Sequence, residues 1–487
     1  KGKIEVLSRG KTVRREWVSK LWRRLRHWWL GPCGGLEVLR VAWPLMVSMG
    51  SGAVMHFCDR VFLSWYAPEA MAAALPAGVL HFTLLCFPFG IAIYVNPFVA
   101  QYEGAGRFDR IGRVVWQGVW IGVVVGPLFL ATIPAAPAWF QSLGHSAELA
   151  RLETLYYQVL TFGAGAWICG GAMSAFFTGR RQTRVVMWVD TSAALLNVFL
   201  DYAWIFGHWG LPRWGIEGAA WATVVSQWYR LGVYLWLLFR PHLREKYGIV
   251  SGLRVDPELL KRLFYYGAPN GLQLLAEVAA FTLMLLLIGR LGDEAMAATT
   301  AAFNVNSFAF IPTLGLGIGL TAIVGRELGR NRHDRAARAT WSAVVLAWFY
   351  MGSIAMWYIL TPDFFLLGYG AGMNPESFES LRRTTTILLR FVAAYCLFDA
   401  MNVIFAAALK GAGDTRYIFL ANLTLSTPPV VIVWLGVHYF SLGLWGCWTM
   451  LTAWVYALGL AFLVRFLQGH WRQMRVIEHP PEELPET

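Results

Sequence analysis

The chain matches itself in RFDRIGRVVW at 107–116 and RHDRAARATW at 332–341. Both stretches read Arg-x-Asp-Arg-x-x-Arg-x-x-Trp, and they lie 225 residues apart. In the same ungapped register Pro44 answers Pro269, and Glu-Ala-Met-Ala-Ala occurs at 69–73 and again at 294–298. Further along, the offset drifts. Gly179-x-x-x-Thr183-Arg184 answers Gly411-x-x-x-Thr415-Arg416, and Gly215-x-x-Gly218 answers Gly443-x-x-Gly446. What separates the copies decides the architecture.

The 487 residues are 57% hydrophobic and 14% charged, where a soluble domain carries roughly 25% charged residues. Twelve apolar runs have the length a spanning helix needs: 41–65, 74–101, 114–136, 154–177, 186–206, 216–239, 263–289, 297–324, 341–361, 386–409, 417–438 and 442–466. They show no period-two alternation, so helices are the spanning form. Six runs separate the copies, and six is even. The halves therefore share one orientation and are related by an axis along the membrane normal, an arrangement found in transporters, with the substrate site between the halves. The expected fold is an all-α polytopic membrane protein of twelve transmembrane helices in two six-helix bundles. These occupy 36–240 and 263–468, joined by a linker at 241–262 and flanked by a basic amphipathic segment at 1–35 and a tail at 469–487.

The charges orient it. Of 41 Lys and Arg, 33 fall in the N-terminal segment, the even-numbered links and the tail, and 5 in the other links. That asymmetry puts both termini in the cytoplasm, with the cell (inner) membrane as the expected location. It also accounts for the +12 net charge without nucleic acid. Residues 14–30 interleave Arg with Trp and Leu, as in a segment lying on an anionic inner surface; no apolar run before Gly31 marks a cleaved signal peptide. The six cysteines form no CxxC pair and read as small buried hydrophobes. Catalysis finds no support: there is no His-rich box, nucleophile elbow or P-loop.

Several short motifs fall in order on this frame. They are Pro44-Leu45-Met46 followed by Asp59; Val-Ala-Gln-Tyr-Glu-Gly-Ala-Gly at 99–106; Asn197-x-x-x-Asp201; Gly215-x-x-Gly218-Ala219-Ala220-x-Ala222-Thr223; and Lys410-Gly-Ala-Gly-Asp-Thr-Arg416. In these the chain resembles the multidrug and toxic compound extrusion (MATE) family over roughly residues 36–470. The resemblance implies a cation-coupled antiporter that exports bulky, often cationic, amphiphiles; the expectation is a monomer in the bilayer with Na+ or H+ as the coupling ion and no other cofactor.

Acids inside apolar runs point the same way. An ionised side chain at mid-membrane costs about 2.5–3.5 kcal/mol on insertion scales, yet Asp59, Asp190, Asp201, Glu277 and Asp399 all lie within runs. Asp190, Asn197 and Asp201 share one helix face, and Asp59 sits at matching depth on the first run. Two carboxylates with an amide oxygen suit a hard cation or a shared proton, and in the family the residues matching Asp59, Asn197 and Asp201 are implicated in cation binding. Glu277 and Asp399 lie near the centres of the seventh and tenth runs, with Tyr395 one turn from Asp399, resembling the family's sodium-type members. Arg60 departs from the family by placing a cation beside Asp59. It tips the expectation toward a sodium-responsive C-terminal pair and a proton-responsive N-terminal group. Asp190, Tyr94, Asn96, Asn304 and Asn306 are further cavity candidates. The rival readings are a major facilitator transporter and a lipid-linked precursor flippase; the mainly acidic buried charge disfavours the anionic cargo of the second.

Overall fold

A computed structural model describes residues 28–366 and 375–478, together with Arg26. The amphipathic segment expected at 14–30 therefore lies, but for its end, outside the described residues, as does the tail beyond 478.

Among the described residues twelve long helices follow one another: α1 Gly35–Tyr66, α2 Pro68–Ala105, α3 Phe108–Leu130, α4 Ala147–Gly179, α5 Thr183–Phe206, α6 Ile216–Leu238, α7 Pro257–Gly289, α8 Asp293–Gly329, α9 His333–Leu360, α10 Pro375–Ala412, α11 Thr415–Tyr439 and α12 Leu444–Leu467. Eleven are long and apolar enough to cross a membrane. The other, α6, carries Glu217, Gln227 and Arg230 and packs against α4 and α5. α2 breaks at Tyr94. Pro97 has no N–H to offer the Ile93 carbonyl, so the helical ladder cannot run through that turn.

The packing repeats pair for pair. α1 lies on α5, α2 and α3 on α4, and α6 on both α4 and α5; likewise α7 lies on α11, α8 and α9 on α10, and α12 on both α10 and α11. Between the halves α1 meets α8 and α2 meets α7, which is one contact under exchange of halves. The pseudo-twofold axis along the membrane normal follows from these pairs.

The repeated tryptophan has a job in each half. Trp116 donates to the Ile249 carbonyl at 2.9 Å, and Trp120 to the Leu253 carbonyl at 3.0 Å. Residues 241–256 are thereby folded back onto α3 rather than hanging between bundles. Trp341 packs on Phe466, which stacks on Trp471 at 4.9 Å. The first copy of the signature thus holds the segment that leaves its sixth helix, and the second packs on the end of α12 against which the following segment stacks.

The halves interlock at the face that carries the basic links. Val38, Val41 and Ala42 of α1 belong to the core of the C-terminal half, and Leu259 and Leu263 of α7 to that of the N-terminal half. Gly90 and Gly271 let α2 and α7 touch backbone to backbone. Gly104 and Gly329, equivalent at the 225-residue offset, lie against each other's helices: a Cβ on Gly104 would drive into the Arg326 carbonyl, and one on Gly329 into that of Gln101. The hydrogen bonds joining the halves cluster here too. Tyr94 OH donates to the Lys410 carbonyl at 2.8 Å, Gln101 Nε2 to the Gly411 carbonyl at 2.9 Å, and Asn270 Nδ2 to the Gly90 carbonyl at 2.7 Å.

Residues 471–478 close the seam. Val476 and Ile477 are buried in the N-terminal half, and the Val476 N–H donates to Gln101 Oε1 at 2.9 Å. The Glu478 carboxylate accepts from Tyr102 OH at 2.8 Å and pairs with Arg107 at 3.1 Å and Arg110 at 3.3 Å. From the same strap Arg475 reaches the Leu328 carbonyl and Asn331 Oδ1 at the end of α8.

Candidate functional site

Each half carries its own acid cluster. In the N-terminal half Asp201 is fully buried and Asp59 nearly so. Tyr156 of α4 donates to Asp59 Oδ2 at 3.4 Å. In the amide orientation that satisfies both its neighbours, Asn197 donates to Asp201 Oδ2 at 2.9 Å and accepts from the Thr223 N–H at 3.1 Å. Asp59 and Asp201 lie close enough to repel one another. Asp59 Oδ1 and Asp201 Oδ1 are buried with no hydrogen-bond partner. Arg60 is exposed, and among the described residues no ion pair joins it to Asp59. Arg60 acts electrostatically on Asp59 from its exposed position, but two neighbouring buried carboxylates with no ion-paired base favour a proton or a bound cation. Carboxylate, amide and hydroxyl oxygens are the donors a hard cation takes.

A second acid in this half is already matched. Asp190 Oδ1 accepts from Arg230 Nε at 2.7 Å and from Tyr234 OH at 2.9 Å, while Asp190 Oδ2 accepts from Ser48 Oγ at 2.5 Å. This ion pair ties α5 to α6 and α1.

The C-terminal half holds a cavity of about 470 Å³. Glu277, Asp399, Tyr395 and Lys410 line it, walled by Phe281, Phe303, Phe310 and Trp454. Glu277 Oε1 accepts from Gln273 Nε2 and from Asn422 Nδ2, each at 2.7 Å. Glu277 also acts electrostatically on Asp399 and on Lys410. Gln273 Oε1, Asn306 Oδ1 and Trp454 Nε1 line the same space as buried polar atoms without hydrogen-bond partners. Apolar walls with a few unspent polar groups are what a pocket for amphiphiles needs.

The MatE family model matches residues 44–203 and 269–434. The chain belongs to the MATE family. It is a membrane transporter and not an enzyme, and the family match removes the major facilitator alternative. Among similar proteins is the Probable multidrug resistance protein NorM of Bradyrhizobium diazoefficiens, 28% identical over 89% of this chain and 94% of its own length. The protein of the same name in Thermotoga maritima is 24% identical over 91% and 94%. Among solved structures, a MOP superfamily transporter from Pyrococcus furiosus aligns with a TM-score of 0.80 at 20% identity, over 90% of this chain and 96% of that one. An outward-facing multidrug resistance MATE family transporter aligns with the same score at 20% identity, over 89% and 95%. MATE transporter structures have twelve helices in two bundles, as here.

Within this MATE chain the residues singled out from the sequence separate into three places. Asp59, Asn197 and Asp201 come together in the N-terminal half, joined by Tyr156 and Thr223, which the sequence pattern does not single out. Glu277, Tyr395, Asp399 and Asn306 line the C-terminal cavity. The others need correction. Asp190 is not among that cavity's lining residues; it is bound by Arg230. Tyr94 and Asn96 lie in the seam between halves, Asn96 Nδ2 reaching the Ile318 carbonyl at 3.5 Å. They are there because the break in α2 turns this segment toward α8 and α10. Asn304 is exposed, two residues from Asn306 and so on another helix face. Lys410, counted as a link cation, is inside: α10 runs to Ala412.

Proposed function

We propose that this MATE transporter exports small amphiphilic, cationic molecules in exchange for Na+ or H+. The basic face is cytoplasmic in this reading, the protein lies in the inner membrane as a monomer, and the state sealed at the basic face is open to the outside. The observation that carries the antiport reading is the pair Asp59 and Asp201, buried with an unpartnered oxygen each. A site that must hold a cation or proton when closed is a coupling site. The cargo reading is supported by the aromatic cavity holding Glu277 and Asp399. Alternating access would part the seam at Gly104 and Gly329 and close the opposite side, moving both clusters between the two aqueous phases.

The test is efflux of a fluorescent cation from proteoliposomes, with sodium and proton gradients imposed separately. Saturable efflux driven by at least one gradient is expected. Efflux that follows neither gradient and does not saturate overturns antiport in favour of a passive pore.

A further inference from the structure

The cavity of the C-terminal half contains a base as well as its acids. Its ionisable lining residues are Glu277, Asp399, Tyr395 and Lys410. Lys410 is eleven residues beyond Asp399 on α10, which places the two on one helix face together with Val403 and Ala406, which also line the space. Glu277 acts electrostatically on it. Among the described residues, no ion pair within 4 Å engages it. Its backbone is fixed from the other half, through the hydrogen bond from Tyr94 OH to the Lys410 carbonyl. The ammonium group is thus a positive charge among the residues that line the cavity, on a backbone anchored from the other half and not consumed by one carboxylate.

We propose that Lys410 sets the charge of the cargo, by acting as a counter-cation that leaves the cavity one net negative charge and so selects singly charged over doubly charged cations. Counted by formal charge, two carboxylates and one ammonium line the cavity. One cationic head then completes the balance. A second positive charge on the cargo would enter a largely apolar space with no free carboxylate to meet it, and an unmatched buried charge is strongly disfavoured. Removing Lys410 releases the second carboxylate and lifts that penalty. This inference rests on the reading of the cavity as the cargo site.

The experiment uses the purified full chain and two dyes with the same aromatic core, ethidium with one charge and propidium with two. Binding is read by fluorescence polarisation as the ratio of the two Kd values. The wild type favours ethidium. Lys410→Gln shifts the ratio toward propidium by at least about tenfold, and Lys410→Arg keeps the wild-type ratio. Ser307 lines the cavity, and among the described residues its hydroxyl bonds only to the Phe303 carbonyl of its own helix. Ser307→Asp adds a carboxylate with Lys410 intact and shifts the ratio in the same direction, which keeps the proposal open to refutation if Lys410→Gln fails to fold. A ratio unmoved in Lys410→Gln, or in Ser307→Asp, while ethidium still binds overturns the role of Lys410 and leaves the cargo site standing. A wild type that binds neither dye overturns the cargo reading and this inference with it.

Discussion

Counted from the starts of their helices, Thr183 and Thr415, Asp190 and Asn422 occupy the same position of α5 and α11. Counted from Gly215 and Gly443, Arg230 and Leu458 match on α6 and α12, and the 225-residue register pairs Ser48 with Gln273. In the N-terminal half this trio is Asp190, Arg230 and Ser48, locked in one ion-paired network. In the C-terminal half Gln273 and Leu458 line the cavity, and Asn422 holds Glu277 beside it. At equivalent positions, then, one copy of the fold carries an ion-paired network and the other borders a cavity. The acids divide accordingly. Asp59 and Asp201 are sealed within packed helices, where only a change of conformation gives access; Glu277 and Asp399 face open space, where cargo can meet them directly.

The comparison breaks first at the salt bridge. Asp190→Leu leaves Arg230 buried without its partner, at a cost of about 3–5 kcal/mol. Loss of monodisperse protein on size-exclusion chromatography is expected, with recovery in the double variant Asp190→Leu, Arg230→Leu. A single variant as stable as wild type would mean that the network is not what fills this half.

The next effect separates the two acid clusters. Asp201→Asn should lower gradient-driven efflux at least about tenfold, while ethidium affinity in the absence of a gradient stays within about twofold. Glu277→Gln should instead weaken ethidium binding about tenfold, roughly 1.4 kcal/mol. If both variants lose affinity equally, the sealed and open clusters form one site and the contrast between halves disappears.

A smaller effect is expected at the crossing of α2 and α8. Gly104→Val collides with the Arg326 carbonyl and should favour the state parted at the basic face. Spin labels at the exposed, repeat-equivalent Asp109 and Asp334 should report a longer distance than in wild type.

The mildest prediction concerns the strap. Burial alone would raise the Glu478 carboxyl, but its backbone hydrogen bond, Tyr102 and the guanidinium groups of Arg110 and Arg107 outweigh burial and hold it below the ordinary glutamate range. A group depressed in the folded state contributes stability above its unfolded pKa, about 4.3 for glutamate, and loses it as pH falls through the lower folded value. Hydrogen-exchange protection at 474–478, corrected for the intrinsic pH dependence of amide exchange, should accordingly be steady from neutral pH down to mild acid and fall below it. Glu478→Gln should show a rise in exchange of about threefold already at neutral pH. Identical exchange in the variant would leave the Glu478 contacts without a role in holding the strap.

Much of this architecture is legible in the residues themselves. Twelve apolar runs, a 225-residue repeat and lopsided basic links define the helices and their symmetry, because lipid forces each backbone to satisfy itself within one helix. The acids stand out because charge in such runs is costly. Tyr156, Thr223, Gln273 and Asn422 do not stand out, since uncharged polar residues are tolerated almost anywhere between packed helices. Lys410 is misread for another reason. Helix ends read from sequence are uncertain, and a lysine just before Gly411 looks like the start of a link. The pairing of Asp190 with Arg230 depends on the rotation of α6 against α5, which no pattern in either helix specifies.

The strap has a consequence for assembly. Val476 and Ile477 are synthesised after all twelve helices, yet they finish the core of the half that was made first. The hydrogen bonds joining Gln101, Tyr102 and Arg262 to this segment cannot form until translation has passed α12. During biogenesis the N-terminal half is therefore an unfinished body waiting in the bilayer, and its closed seam records that the second half has been inserted.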